Sequence, residues 1–157
     1  MGEKITSIGK AAFLSIVLVC SAISFNRAIA WKDDYILLKD TAYKSVNKAR
    51  PHSNLALRAY LNGVHDEAFS EAQKTLSLYY YHPDAHYISG LILYDKGQYA
   101  QSLGAYTWAL ITARRYTDNP AYVARIHKST GLAYKALGDD DSAAIEFNEA
   151  TQLDPSI

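Results

Sequence analysis

The sequence has a single cysteine, Cys20, so an intrachain disulfide and a multi-cysteine metal site are both excluded, and folding does not depend on an oxidising compartment. It has no excess of charge. Sixteen Lys and Arg stand against 16 Asp and Glu, which leaves no global field to draw the chain to nucleic acid, and no nucleic-acid partner is expected. Beyond residue 30 acidic side chains outnumber basic ones by two. No Gly-rich phosphate loop, nucleophile elbow or pair of catalytic carboxylates occurs, so no enzyme activity and no cofactor is expected. Phenylalanine is scarce, four against 13 Tyr, and Tyr suits half-buried helix faces where the ring packs and the hydroxyl reaches water. With 49% apolar and 20% charged residues in 157, the balance is that of one folded domain with a short appendage.

One long apolar run is present. Residues 11–25 read AAFLSIVLVCSAISF, preceded by Lys4 and Lys10 and followed by Arg27. Fifteen residues match the upper limit of a signal-peptide core and fall short of the roughly 20 of a transmembrane helix. Ala28-Ile29-Ala30 offers small residues at a signal-peptidase spacing, which would make Trp31 the first mature residue. Equally, Lys10 and Arg27 can snorkel and Trp31 suits an interfacial belt, so residues 11–25 can remain as an uncleaved anchor. Both readings carry residues 31–157 across the cytoplasmic membrane, because the positive charges ahead of the run stay inside. The expected location is periplasmic, on a membrane anchor, or periplasmic or secreted after cleavage at Ala30. Val19 stands where a lipoprotein signal needs a small residue before its cysteine, so Cys20 reads as a small apolar residue.

The strongest pattern is a repeat. Gly63, Gly97 and Gly138 lie 34 and then 41 residues apart, each closing an apolar-periodic helix and each followed five residues later by Ala68, Ser102 or Ala143. A unit of two antiparallel helices at this period is a helical repeat array. The expected architecture is all-α, a right-handed α-solenoid of antiparallel helix pairs. Residues 1–30 form the anchor or signal, residues 31–48 an amphipathic half-repeat, and residues 49–157 the array, with units at about 49–82, 83–116 and 124–157. In the half-repeat, Trp31, Tyr35, Leu38, Ala42 and Val46 share one helical face. In the first unit Leu55, Ala56 and Ala59 face Ala68, Ala72, Thr75 and Leu76, with Pro51 near the helix start. The second begins at Pro83, places Gly90 at a close helix approach, and carries Ser102, Tyr106 and Ala109 in its second helix. The seven extra residues before the third unit, in ITARRYTDNPAY, form either a helix extension or a protruding loop, with Asp118-Asn119-Pro120 as a turn or helix start. Gly131, Tyr134, Gly138, Ala143, Phe147, Ala150 and Pro155 make the third unit the most regular.

These residues resemble the tetratricopeptide repeat family over about residues 49–157. The resemblance implies a protein-binding scaffold whose first helices line a concave groove, with three positions per unit pointing into it. Those positions are Ser53, Leu57 and Tyr60; Tyr87, Leu91 and Tyr94; and Lys128, Leu132 and Lys135. An extended or helical peptide is expected there, with an apolar anchor near Tyr60, Tyr87 and Tyr94 and an acidic group near Lys128 and Lys135. Members that clamp a terminal carboxylate carry Lys, Asn and Arg at places held here by Ser53, Leu57 and Ile88, so that mode is not expected. The stretch Arg27, Trp31-Lys32-Asp33, Asn47 to His52 and Asn54-Leu55 is similar to the junction between the last span and the repeat tail of membrane proteins resembling protein O-mannosyltransferases. It implies, as the alternative to an envelope-assembly scaffold, an accessory subunit or remnant of a membrane glycosyltransferase.

Other clusters read as structural. His82 and His86 straddle a helix start and lack a third ligand, so no metal is expected. His65-Asp66-Glu67 and Asp139-Asp140-Asp141 sit where acidic residues start a helix and suit its dipole. The run Pro155-Ser156-Ile157 falls where a further helix would cover the last unit, so an exposed edge there is expected to self-associate or meet a partner.

Overall fold

The computed structural model describes residues 12–25 and 34–157, and among these every regular element is an α-helix. In chain order they are α1 (12–25), α2 (Asp34–Lys44), α3 (Ala49–Leu61), α4 (His65–Leu78), α5 (Pro83–Asp95), α6 (Tyr99–Tyr116), α7 (Pro120–Ala136) and α8 (Asp140–Leu153). The chain divides into two compact units, residues 1–40 and 41–157.

Helix α1 exposes its apolar side chains, Phe13, Leu18 and Phe25 each by about two-thirds of their surface. Cys20 is free and exposed on it. At 1.5 Å per residue the described part of α1, residues 12–25, spans about 21 Å, against the roughly 30 Å of a bilayer core. No helix among the described residues is long and apolar enough to cross a membrane. Lys4, Lys10, Arg27, the Ala28-Ile29-Ala30 cleavage motif and Trp31 to Asp33 lie outside the described residues. Helix α2 ends at Lys44, ahead of the expected Val46: Tyr35 and Leu38 are half-buried and Ala42 is buried, but Val46 falls beyond the helix and is exposed. The chain turns there instead, with Lys48 N–H on the Ser45 carbonyl.

Helices α3 and α4, α5 and α6, and α7 and α8 form three successive hairpins, each packed on the next through α4 against α5 and α6 against α7. Every hairpin turns the same way. Gly63, Gly97 and Gly138 adopt φ of 75°, 74° and 81°, the left-handed region that costs an L side chain about 1–2 kcal/mol. That twist lets Val64 N–H reach the Ala59 carbonyl and Gly63 N–H the Tyr60 carbonyl, with the same two bonds at Gln98 and Gly97 and at Asp139 and Gly138. The last carbonyls of each first helix are thereby satisfied. Starts are equally explicit. Pro83 and Pro120 occupy first-turn positions where no N–H is needed, Asn119 accepts from Tyr122 N–H, and Asp139 accepts from Ser142 N–H. Asp66, Glu67, Asp140 and Asp141 fall in first turns, so the acidic clusters serve helix starts.

Small residues set the helix spacing. Ala56, Ala59, Ala68, Ala72, Ala109 and Ser102 have no exposed surface, and most of the buried apolar residues are alanines. Leu55 and Thr75 are buried with them, while Leu76 is only half-buried. A Cβ added at Gly90 would come within 2.4 Å of the Tyr106 ring and one at Gly131 within 2.7 Å of Phe147, so in both hairpins the glycine backbone lies directly against an aromatic ring of the second helix. The seven-residue insertion is helical. Helices α6 and α7 have 18 and 17 residues against 14 and 13 in α4 and α5, and the loop between them is one residue shorter than that between α4 and α5. Asp118-Asn119-Pro120 is the helix start, and α7 begins at Pro120, ahead of Ala124.

Candidate functional site

The first helices stack side by side, α3 on α5 and α5 on α7, and their shared face holds two clefts. One, of about 360 Å³, is lined by Leu57, Asp84, Tyr87, Ile88, Tyr122 and Arg125, together with Pro83, Thr117 and Asn119 from helix starts and a loop. The other, of about 210 Å³, is lined by Tyr60, Leu91, Tyr94, Asp95, Tyr106, Ser129 and Leu132. Tyr87 and Leu91 are one turn apart on α5, so a single helix joins the two clefts.

Six of the nine groove positions read from the sequence line these clefts: Leu57, Tyr60, Tyr87, Leu91, Tyr94 and Leu132. Ser53 does not, because it is buried at 2% exposure in the packing of α3. Lys128 and Lys135 are exposed and line neither cleft. On α7 the lining is Tyr122, Arg125, Ser129 and Leu132, and Ser129 lies about 100° round the helix from Lys128. Asp84 and Asp95 were not among the expected positions either. Asp84 and Arg125 do lie 41 residues apart, so the repeat spacing already pairs them.

The rings are held in place. Ser129 Oγ donates to the Arg125 carbonyl at 3.0 Å, which leaves the Tyr87 hydroxyl to donate to Ser129 Oγ at 3.1 Å and so bridge α5 to α7. Tyr87 also meets Tyr122 edge-on at 5.9 Å and Tyr106 at 6.0 Å, while the Arg125 guanidinium lies 5.5 Å from the Tyr122 ring centre. Burial, followed by the Asp95 carboxylate, pushes the Tyr60 hydroxyl up to about 12. Burial raises Tyr106 further, and burial followed by the nearby Asp84 carboxylate does the same for Tyr122. These phenols stay neutral, so the face offers rings, hydroxyls, two carboxylates and one guanidinium for binding.

A second repeated constellation lies behind it. His52, His86 and His127 occupy one position of the three hairpins, at spacings of 34 and 41. His52 Nδ1 pairs with Glu71 at 2.6 Å and His127 Nδ1 with Glu146 at 2.6 Å, tying first helix to second in the outer hairpins. Arg114 donates to His127 Nε2 at 3.1 Å, so that ring accepts at Nε2 and donates at Nδ1. The middle hairpin has Ala105 in place of the glutamate, and His86 Nε2–H donates to the Tyr80 carbonyl at 2.8 Å. That bond, with His82 as the extended residue capping α5, places the two histidines in separate structural roles. Among the described residues no three His, Cys, Asp or Glu stand together as a metal site.

No family model matches this chain, and no curated protein matches it. Solved structures do. A MamA crystal structure aligns over 76% of this chain and 66% of its own, with a TM-score of 0.62 and 22% identity. A second MamA structure is covered over 61% of its length, so the chain spans a little under two-thirds of these proteins. The first TPR of Spaghetti (RPAP3), solved bound to an HSP90 peptide, aligns over 71% of this chain and 83% of its own at TM-score 0.61 and 18% identity. In the Cut9–Hcn1 assembly of APC/C, a chain covered over 25% of its length aligns with 83% of this one at TM-score 0.73 and 20% identity. With three glycine-turned hairpins, small-residue helix contacts and a groove built from first helices, the chain has the tetratricopeptide-repeat fold.

Proposed function

We propose that this chain is a non-catalytic protein-interaction scaffold that holds a peptide segment of a partner along the α3–α5–α7 face. The observation that carries the reading is the cleft on which Tyr60, Leu91, Tyr94 and Leu132 from three helices converge, with the Tyr87 cleft one turn of α5 away. Large amphipathic rings at a groove centre are the usual binding anchors, and the structurally similar RPAP3 repeat was solved with a peptide bound. The partner's apolar anchor sits among these rings, and an acidic group meets Arg125 within the cleft and Lys128 and Lys135 on the exposed surface of α7. The apolar run of residues 11–25, with Phe13, Leu18 and Phe25 bare, supports a membrane-anchored or exported chain whose repeats act outside the cytoplasm in assembling an envelope complex. Exposed Leu137, Ile145 and Leu153 at the last hairpin support self-association or a partner at that edge.

Crosslinking and mass spectrometry on native membranes, with the mature amino terminus read from the same sample, tests both halves. Tyr94→Ala combined with Tyr87→Ala is expected to release the crosslinked partner. If every partner stays bound, the groove reading falls. Recovery of a polytopic membrane enzyme as the main partner would favour the glycosyltransferase-accessory alternative.

A further inference from the structure

A second exposed surface lies away from the groove, on the α4–α5 loop and the outer face of α6. Tyr79, Tyr80, Tyr81, Trp108, Ile111 and Tyr116 are each 40–51% exposed, and none of them lines either groove cleft. They are contiguous. Trp108 meets Tyr80 at 5.4 Å, Tyr80 meets Tyr81 at 5.5 Å, Tyr81 meets Tyr79 at 6.4 Å and Tyr79 meets Tyr116 at 6.5 Å, all near edge-on. Arg115 closes the row with its guanidinium 5.7 Å from the Tyr116 ring centre. Beneath it, buried His86 stacks on Trp108 at 22° and 6.0 Å and bonds the Tyr80 carbonyl, so the rings are fixed before anything binds. A preformed surface loses little conformational entropy on docking.

A row of rings with polar heads, with the aliphatic Ile111 one turn from Trp108 on α6 and an arginine but no carboxylate in the row, matches the chemistry of the headgroup level of an anionic bilayer. An independent feature of the chain selects that occupant. Among the described residues, helix α1 leaves Phe13, Leu14, Ile16, Leu18 and Phe25 exposed, which is the demand of a segment that enters lipid. Residues 26–48 then separate α1 from α3 by at most about 60 Å, counting α2 as helix and the rest as fully extended. A tether of that length holds the array at an effective concentration on the order of millimolar, so even a weak interfacial contact is populated.

We propose that the Tyr79–Tyr81 loop, Trp108, Ile111 and Tyr116 form a second membrane contact, which seats the array against the bilayer that α1 enters. It rests on the anchor reading above, and the test separates the two. The full-length chain carrying Trp31→Phe leaves Trp108 as the sole tryptophan, and it is reconstituted into phosphatidylethanolamine–phosphatidylglycerol vesicles whose acyl chains are brominated at either shallow or deep positions. The expected result is quenching of Trp108 by shallow bromines, at least about twofold stronger than by deep ones, as for an interfacial ring. Adding Tyr80→Ser, Tyr81→Ser and Ile111→Ser should abolish the quenching while the chain still floats with the vesicles. Flotation with Trp108 unquenched overturns the proposal and leaves this surface to a protein partner. Failure to float overturns the anchor reading and this contact with it.

Discussion

Two glycines and one histidine show how much single side chains decide. Gly90 and Gly131 occupy one position of neighbouring hairpins, yet their partners differ. Tyr106 is buried at 1% exposure with packing on every side, whereas Phe147 is half-buried and has room to swing. Gly90→Ala is therefore expected to destabilise the fold by about 2 kcal/mol, an ordinary overpacking cost. Gly131→Ala should be close to neutral, because the gain of about 1 kcal/mol in helix propensity offsets the ring's displacement. Equilibrium urea unfolding of both variants checks the contrast, and equal losses would count against it. His86 supplies a pH dependence. Burial holds it and His82 below the ordinary 6.5, although Asp84 partly opposes this at His82 and the Tyr80 carbonyl at His86. The unfolded chain therefore takes up the proton first as pH falls. The stability each contributes is complete above about 6.5 and is lost on acidification toward the lower folded-state value. His86→Gln, which keeps a donor for Tyr80 but does not titrate, should flatten the fall in unfolding free energy between about pH 7.5 and about pH 5. An unchanged slope would show that the pH dependence lies elsewhere.

At the scale of helices, the hairpin turns and the His–Glu ties perform different tasks. The turn glycines have open space around their Cβ positions, so only backbone conformation restricts them. Gly97→Ala should cost about 1–2 kcal/mol from the left-handed φ alone, without disturbing any neighbour. Glu146→Ala removes the 2.6 Å bond from His127, leaving a buried donor unpaired between α7 and α8. A loss of about 2 kcal/mol is expected, read by thermal or urea unfolding. A cost near zero would mean water replaces the carboxylate. The lengthening of α6 and α7 belongs to this scale too. Adding about a turn to each keeps the inserted backbone N–H and C=O groups hydrogen-bonded within α6 and α7, on the two sides of the junction between hairpins.

Across the whole molecule, the hairpins are coupled by contacts between first helices as well as by sequential packing. Tyr87→Phe deletes only the hydroxyl bridging α5 to Ser129 on α7, and a loss of about 1 kcal/mol with the ring contacts retained is expected in urea unfolding. That variant also serves as the control for groove binding, since it separates a weakened array from a weakened site. The helical class, the three hairpins and the small-residue contacts were legible in the sequence because they depend on local causes: apolar period, a left-handed glycine and a first-turn proline or acid. Six of the residues that line the two clefts also lie in that register. Side-chain partnership across helices was not legible. Ser53 turned inward, Lys128 and Lys135 stayed outside the clefts while Arg125 and Ser129 entered them, and Val46 fell beyond α2. A helical position places a side chain only to within an arc, and about 100° separates one residue from the next. The pairing of Tyr79 with Tyr116, or of His127 with Glu146, joins residues 37 and 19 apart. Sequence alone determined which residues form helices and where the chain reverses, because those are one-dimensional properties of the backbone. Which faces meet, which histidine finds a carboxylate and which rings gather into an exposed row were decided only by the packing of one hairpin against the next.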